Sequence, residues 1–206
     1  MQELIVATKN KGKLREIKEL LKDLPLKVTS LADYPHAPYI TEDGTTYAQN
    51  ALKKAVTIAL YTKKLTLGED SGLEVKALGN APGVQSARFA GEDTTDQKNN
   101  QKLVQSLRGV PFNKRQARYR CFAALVDKKQ IVDLLSGSCS GYITDRARGK
   151  NGFGYDPYFL IKRYNKTFGE LDPSIKTKIS HRARALQKVK SVLKKYLQKR
   201  SGSSKH

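Results

Sequence analysis

The segment Thr8-Lys9-Asn10-Lys11-Gly12-Lys13 sets three lysines among short polar side chains and a glycine. With a strand feeding it and a helix leaving it, free backbone N–H groups and the positive end of the helix dipole point at one spot, the chemistry of an anion cradle. Thr8 and Asn10 add hydrogen bonds; Lys9, Lys11 and Lys13 add charge. The Walker A spacing is absent, and a solvated basic turn is the alternative reading. Two acidic clusters, Glu42-Asp43-Gly44 and Glu69-Asp70-Ser71-Gly72, stand out in a basic chain. Carboxylates at strand ends and helix starts are the oxygen ligands Mg²⁺ prefers. Singly, Asp43 reads as a helix cap and Glu69-Asp70 as a turn; together, beside a phosphate loop, the clusters point to metal binding.

Further along, Asn151-Gly152-Phe153-Gly154-Tyr155-Asp156-Pro157 combines glycines, which let backbone approach a ligand, with aromatics that could stack on a base. A tight turn with core aromatics fits the same residues. Ser180 suits a helix N-cap, and His181 and Arg182 then stand in the first turn with Lys176 upstream, as ligand donors or as an ordinary capped helix start. Gly137-Ser138-Cys139-Ser140-Gly141 puts Cys where a nucleophile elbow needs Ser. The 3 His allow no HExxH, and the 2 Cys exclude a cysteine-built zinc site and make a disulfide framework unexpected.

The elements that must hold these residues read as follows. Glu3–Ala7 is an apolar run typical of a buried strand. Leu14, Ile17, Leu21 and Leu24 share one helical face, which Pro25 stops. Leu26–Ser30 reads as a second strand. Thr46 and Gln49 form a capping box for a helix that buries Ala48, Ala51, Leu52, Ala55 and Ala59. Leu65–Glu69 is a short strand ending at Asp70-Ser71-Gly72, and Leu73–Leu78 is a candidate continuation. Thr94 and Gln97 form another box, ahead of a helix through Leu107. Ala117–Val126 and Gln130–Ile143 pair as a hairpin, Pro157–Ile161 is a further strand, and a last helix from Ser180 turns Leu186, Val189, Leu193 and Leu197 inward. This order predicts an α/β fold with a mixed central β-sheet and flanking helices. Residues 1–200 form a single unit, open to a two-lobed form, and 201–206 a disordered basic tail.

The chain has 206 residues, with Lys+Arg 39 against Asp+Glu 19, a net charge of +20. Such a chain is drawn to polyanions, whether nucleic acid, nucleotides or an anionic membrane face. No stretch approaches a membrane span and the start lacks the order of a secretory signal, so we expect a cytoplasmic protein.

Taken in order, Val6 to Lys13, Glu42 to Tyr47, Asn50 to Ala55, Glu69 to Leu73, Pro82 to Arg88, Gly152 to Pro157 and Ile179 to Arg182 resemble the motifs of the inosine triphosphate pyrophosphatase family. The resemblance implies two lobes around an active-site cleft, usually a homodimer, and hydrolysis of ITP, dITP and XTP to the monophosphate and pyrophosphate with Mg²⁺. By position it implies Asp70 as general base and, with Glu42, as metal ligand; Asp43 and Glu69 are left open as further ligands. Lys54 joins Asp70 as catalytic, and Lys13, Lys54 and Lys176 match lysines on the phosphates. The loop Thr8, Lys9, Asn10, Lys11, Gly12 and Lys13, together with Ser71, Phe153, Gly154, Tyr155, Asp156, His181 and Arg182, matches substrate contacts. Donors from Arg182, His181 or backbone N–H groups, aimed at the 6-keto oxygen of the base, would reject adenine. No specific nucleic-acid partner and no membrane are implied. A nucleic-acid-binding protein and a pyrophosphatase for modified pyrimidine nucleotides are the rival readings.

Overall fold

The structure, a computed structural model, describes residues 1–203, with side chains through residue 200. Its elements are β1 (Gln2–Val6), α1 (Lys11–Leu21), β2 (Leu26–Ser30), α2 (Tyr47–Thr62), β3 (Leu65–Val75), α3 (Asp96–Ser106), β4 (Gln116–Asp127) and β5 (Gln130–Ile143). They continue as β6 (Phe159–Ile161), β7 (Lys166–Thr167), α4 (Pro173–Ile179) and α5 (His181–Ser203). The strands form one seven-stranded sheet in the order β2-β1-β3-β4-β5-β6-β7. β1 runs parallel to β2 and β3, whereas β6 runs antiparallel to β5 and β7, so the sheet is mixed, as the alternation of elements predicts. The expected disordered tail at 201–206 lies outside the residues with described side chains.

The chain divides into two compact units, one of residues 1–70, 122–137 and 183–206, the other of residues 71–121 and 138–182. In the first, Leu4, Ile5 and Val6 of β1 are fully buried, as are Ile17 of α1 and Ile58 of α2. Helix α2 lies unusually close to β3. A Cβ on Gly68 would come within 2.1 Å of the Ala51 carbonyl oxygen and 2.7 Å of the Ala55 nitrogen. Gly68 on the strand and alanines on the helix are what permit that approach. In the second unit Leu73, Leu103, Tyr119, Phe159 and Phe168 pack into one apolar cluster.

Several elements depart from the sequence reading. β3 does not stop at Glu69 but runs unbroken to Val75, past the end of its pairing with β1 at Leu67, with β4 as its other neighbour in the sheet. No turn exists at Glu69-Asp70. The cap of α3 is Thr95, whose hydroxyl accepts from Lys98 N; the Thr94 hydroxyl is turned to Thr95 O and Asn99 Oδ1 instead. The Thr46–Gln49 box forms as expected. Helix α4 and strand β7 were not expected.

Candidate functional site

In the first unit, β1 feeds the loop Thr8–Asn10 into the N-terminus of α1. Asn10 is the cap, its side chain accepting from Lys13 N at 2.9 Å, and its own N–H donates to Thr8 Oγ1 at 3.1 Å. The first turn of α1 carries no acid, so the positive end of its dipole is unopposed there. Lys9 and Lys11 are exposed, while Lys13 turns back and its ammonium lies 2.9 Å from Glu69 Oε2.

The acidic residues of β3 and the loop before α2 meet on the inner face of that helix. Asp70 is buried, with Asn50 Nδ2 at 3.2 Å from Oδ2 and Lys54 Nζ at 3.4 Å from Oδ1. The Lys54 ammonium also lies 3.0 Å from Glu42 Oε2, so one cation bridges Glu42 and Asp70. Asn50 and Lys54 are one helical turn apart and share a face. Asn50 also accepts from Gly44 N at 2.8 Å through Oδ1, which fastens the Glu42–Gly44 loop to the same spot. Asp43 points elsewhere: it pairs with Lys53 at 2.7 Å on the exposed side of α2. Burial raises the pKa of Asp70, opposed by Lys54 and Lys13 and reinforced by Glu42 and Glu69.

Two carboxylates around one point match what Mg²⁺ takes from protein when phosphate oxygens and water complete its shell. Among the described residues no three His, Cys, Asp or Glu side chains converge as a self-sufficient metal cage. The donor set of Glu42 and Asp70 therefore fits a Mg²⁺ that arrives with a phosphorylated ligand.

In the second unit a different group forms around residues 152–156. Asp156 is buried, and its Oδ2 accepts from Phe153 N at 2.9 Å and from Lys176 Nζ at 2.6 Å. Gly152 has φ 82°, and a Cβ there would stand 2.0 Å from that same carboxylate oxygen. The half-buried Phe153 ring has two cations beside it, Lys176 Nζ 5.0 Å and Arg182 Cζ 5.5 Å from its centroid. Arg182 also donates to Ser71 Oγ at 2.9 Å. His181 is buried and stacks on Tyr119, with centroids 4.5 Å apart and planes 9° from parallel. Ser71, Phe153, Asp156, Lys176 and Arg182 thus form one connected group.

Tyr155 differs from the expected stacking platform. Its ring is buried in the core cluster and its hydroxyl donates to Ser86 O at 2.7 Å. Burial, with Asp96 nearby, pushes its pKa well up, so it stays a neutral donor. Phe153 is the aromatic of this loop that stays only half-buried. Lys176, matched to the phosphates by position, has its ammonium on Asp156.

Sequence reasoning missed Asp96 and Asn100. Asp96 Oδ2 accepts from Gly154 N at 2.7 Å, and Asn100 Nδ2 donates to Gly154 O at 2.9 Å, so helix α3 grips both backbone polar groups of one residue in the glycine loop. Their i, i+4 spacing puts them on one helical face, the only signal the sequence carries. Asn50 and Tyr119 were also missed, because each is recognisable only through the side chain it orients.

A sequence model of the Ham1 family matches residues 4–192. The dITP/XTP pyrophosphatase of Desulforamulus reducens is 48% identical over 190 residues, covering 92% of this chain and 94% of its own. The dITP/XTP pyrophosphatase of Shouchella clausii is 48% identical over 193 residues, covering 94% and 97%. Among solved structures, a HAM1 protein from Coxiella burnetii superposes with a TM-score of 0.86 at 39% identity, over 95% of this chain and 100% of that one. The Staphylococcus aureus Ham1 protein gives 0.83 at 33% identity over the same shares. With likeness at this level running from β1 into α5, the chain belongs to the Ham1 family.

Proposed function

We propose that the protein is a nucleoside triphosphate pyrophosphatase that hydrolyses non-standard purine nucleotides, ITP, dITP and XTP, to the monophosphate and pyrophosphate, cleansing the nucleotide pool. Relatives named dITP/XTP pyrophosphatase at 48% identity over more than nine-tenths of the chain support the substrate class. The observation that carries the chemistry is the buried Asp70 carboxylate, hydrogen-bonded by Asn50 and bridged through Lys54 to Glu42.

Water attacks the α-phosphorus and the bond to the β-phosphate breaks; the water oxygen stays on the monophosphate and pyrophosphate leaves. Asp70 accepts the proton of the attacking water, within hydrogen-bond reach, and its raised pKa makes it a better base than an exposed aspartate. Lys54 holds Asp70 ionised and oriented. Lys13 and the backbone N–H groups at the start of α1 bind the phosphate oxygens, offsetting the charge that otherwise repels the nucleophile. We infer Mg²⁺ as the metal, held by Glu42 and Asp70; when bound it neutralises phosphate charge and stabilises the leaving pyrophosphate. Phe153 offers a stacking face to the base. Arg182 and His181 supply donors to a 6-keto oxygen, where adenine presents an amino group; leaving donors facing a donor discriminates by roughly 10⁴-fold. Homodimeric assembly and a cytoplasmic location belong to the same reading, by resemblance; no helix among the described residues is long and apolar enough to cross a membrane.

The test is pyrophosphate release from dITP, XTP, dUTP and ATP side by side. Turnover of dITP and XTP, with ATP and dUTP slower by roughly 10³-fold or more, supports the reading. Equal or faster turnover of ATP or dUTP overturns it.

A further inference from the structure

Helix α5 contains eight Lys or Arg residues and no Asp or Glu. Its apolar face, Leu186, Val189 and Leu193, is fully buried. The opposite face is exposed at Arg184, Lys188, Lys195 and Lys199. At about 100° per residue these four fall within about 60° of arc, and they span about 22 Å of helix. They form a straight cationic stripe. Asp23 meets α5 at Lys190 and Asp127 meets it at Arg200, both about 100° or more around the helix from the stripe. Asp127 does more. It accepts from Tyr196 OH at 2.6 Å, which fastens the β4–β5 turn beside the last turns of α5. That turn carries the exposed Lys128 and Lys129 and so extends the stripe sideways.

We infer that this face binds the phosphodiester backbone of nucleic acid, without regard to sequence. Lysine and arginine on a rigid helix, interleaved with the exposed Gln187, Ser191 and Gln198, supply the charge and the neutral donors that phosphate oxygens accept from. An anionic membrane would take the same charge, but a helix that lies in a bilayer interface presents an apolar face to it. Here that face is spent on the core, and among the described residues no apolar side chain of α5 is exposed. The surface is independent of Asp70, Lys13 and the glycine loop, so it stands or falls apart from the proposed activity.

The experiment is fluorescence anisotropy of a labelled 20-base-pair DNA duplex of arbitrary sequence, titrated with the full-length protein from 50 to 200 mM KCl. The variant Lys128→Gln/Lys129→Gln/Lys195→Gln/Lys199→Gln is compared with an equal-charge control, Lys27→Gln/Lys76→Gln/Lys162→Gln/Lys166→Gln, whose lysines are exposed elsewhere. The expected wild-type affinity is micromolar at low salt, and the slope of log K against log [KCl] becomes shallower by about 0.9 for each phosphate contact removed. The α5 variant should lose at least tenfold in affinity at 50 mM KCl, the control less than threefold, and both should keep wild-type dITP turnover and circular dichroism. No binding by the wild type, or equal losses in the two variants, overturns the assignment. So does tighter binding to phosphatidylserine vesicles than to the duplex, if the α5 variant abolishes it. If the α5 variant loses its circular dichroism spectrum, Lys195→Gln/Lys199→Gln is read by the same criteria at about half the slope change.

Discussion

Asp70 is a base set between burial and two ammonium groups. Burial favours its protonated form, Lys54 and Lys13 favour the carboxylate, and the balance leaves it above the ordinary aspartate value. Asp70→Asn keeps the size and the contact with Asn50 but removes the proton acceptor. Turnover of dITP should fall by roughly 10³-fold, with thermal unfolding close to wild type; near-wild-type turnover would remove Asp70 from the chemistry. Asp96 acts at one remove, through the Gly154 N–H. Losing a hydrogen bond to a charged acceptor costs about 1.5–3 kcal/mol. Asp96→Ala should therefore raise KM for dITP by about tenfold with kcat little changed, and Asp96→Asn, which keeps an acceptor, should recover most of the loss. An equal fall in kcat would assign Asp96 a different role. Asp70, Glu42 and Lys54 were legible as residue types at motif spacing. That Lys54 and Asn50 are buried was not, because helical periodicity assigns polar residues to the solvent side and only the facing carboxylate reverses it. Likewise, Tyr155 could be read as a platform or as core until Ser86 supplied its hydroxyl with a partner.

At the scale of elements, the decisive contact is α2 on β3. Gly68 lets the helix approach until Lys54 and Asn50 reach Asp70. Gly68→Ala puts a methyl group against helix backbone. It should cost about 1–3 kcal/mol and lower Tm by on the order of 2–10 °C, measured by differential scanning calorimetry. Displacing α2 should lower kcat as well, whereas an unchanged Tm would mean that the helix–strand spacing is looser than described. The early elements were readable because each carries both a period and a punctuating residue: Thr46 with Gln49 for α2, the apolar run for β1. The others lack one or the other. β3 continues through polar residues that interrupt its apolar run, β7 has 2 residues and no period to detect, and α4 has 7 residues with a buried lysine.

Over the whole molecule, charge is the dominant variable. With a net charge of +20, acids are outnumbered two to one, and Glu3 is a case outside the site where one acid serves several donors. Burial alone would raise its pKa, but hydrogen bonds from Lys64, Tyr34 and Thr29 bring it down to about 2 from an ordinary 4.5. The unfolded chain therefore takes up the proton first. The stabilisation from Glu3 is complete above the unfolded value and is lost as pH falls from about 4.5 toward 2. Urea unfolding between pH 6 and pH 2.5 should show a steady fall in midpoint that Glu3→Gln flattens; a parallel fall in both proteins would contradict the network's role.

The account as a whole rests on attack at the innermost phosphorus, and that is directly measurable. Hydrolysis of dITP in ¹⁸O-labelled water, with mass spectrometry of both products, should place the label in the monophosphate and leave pyrophosphate unlabelled. Label in pyrophosphate, or release of labelled inorganic phosphate, would contradict it.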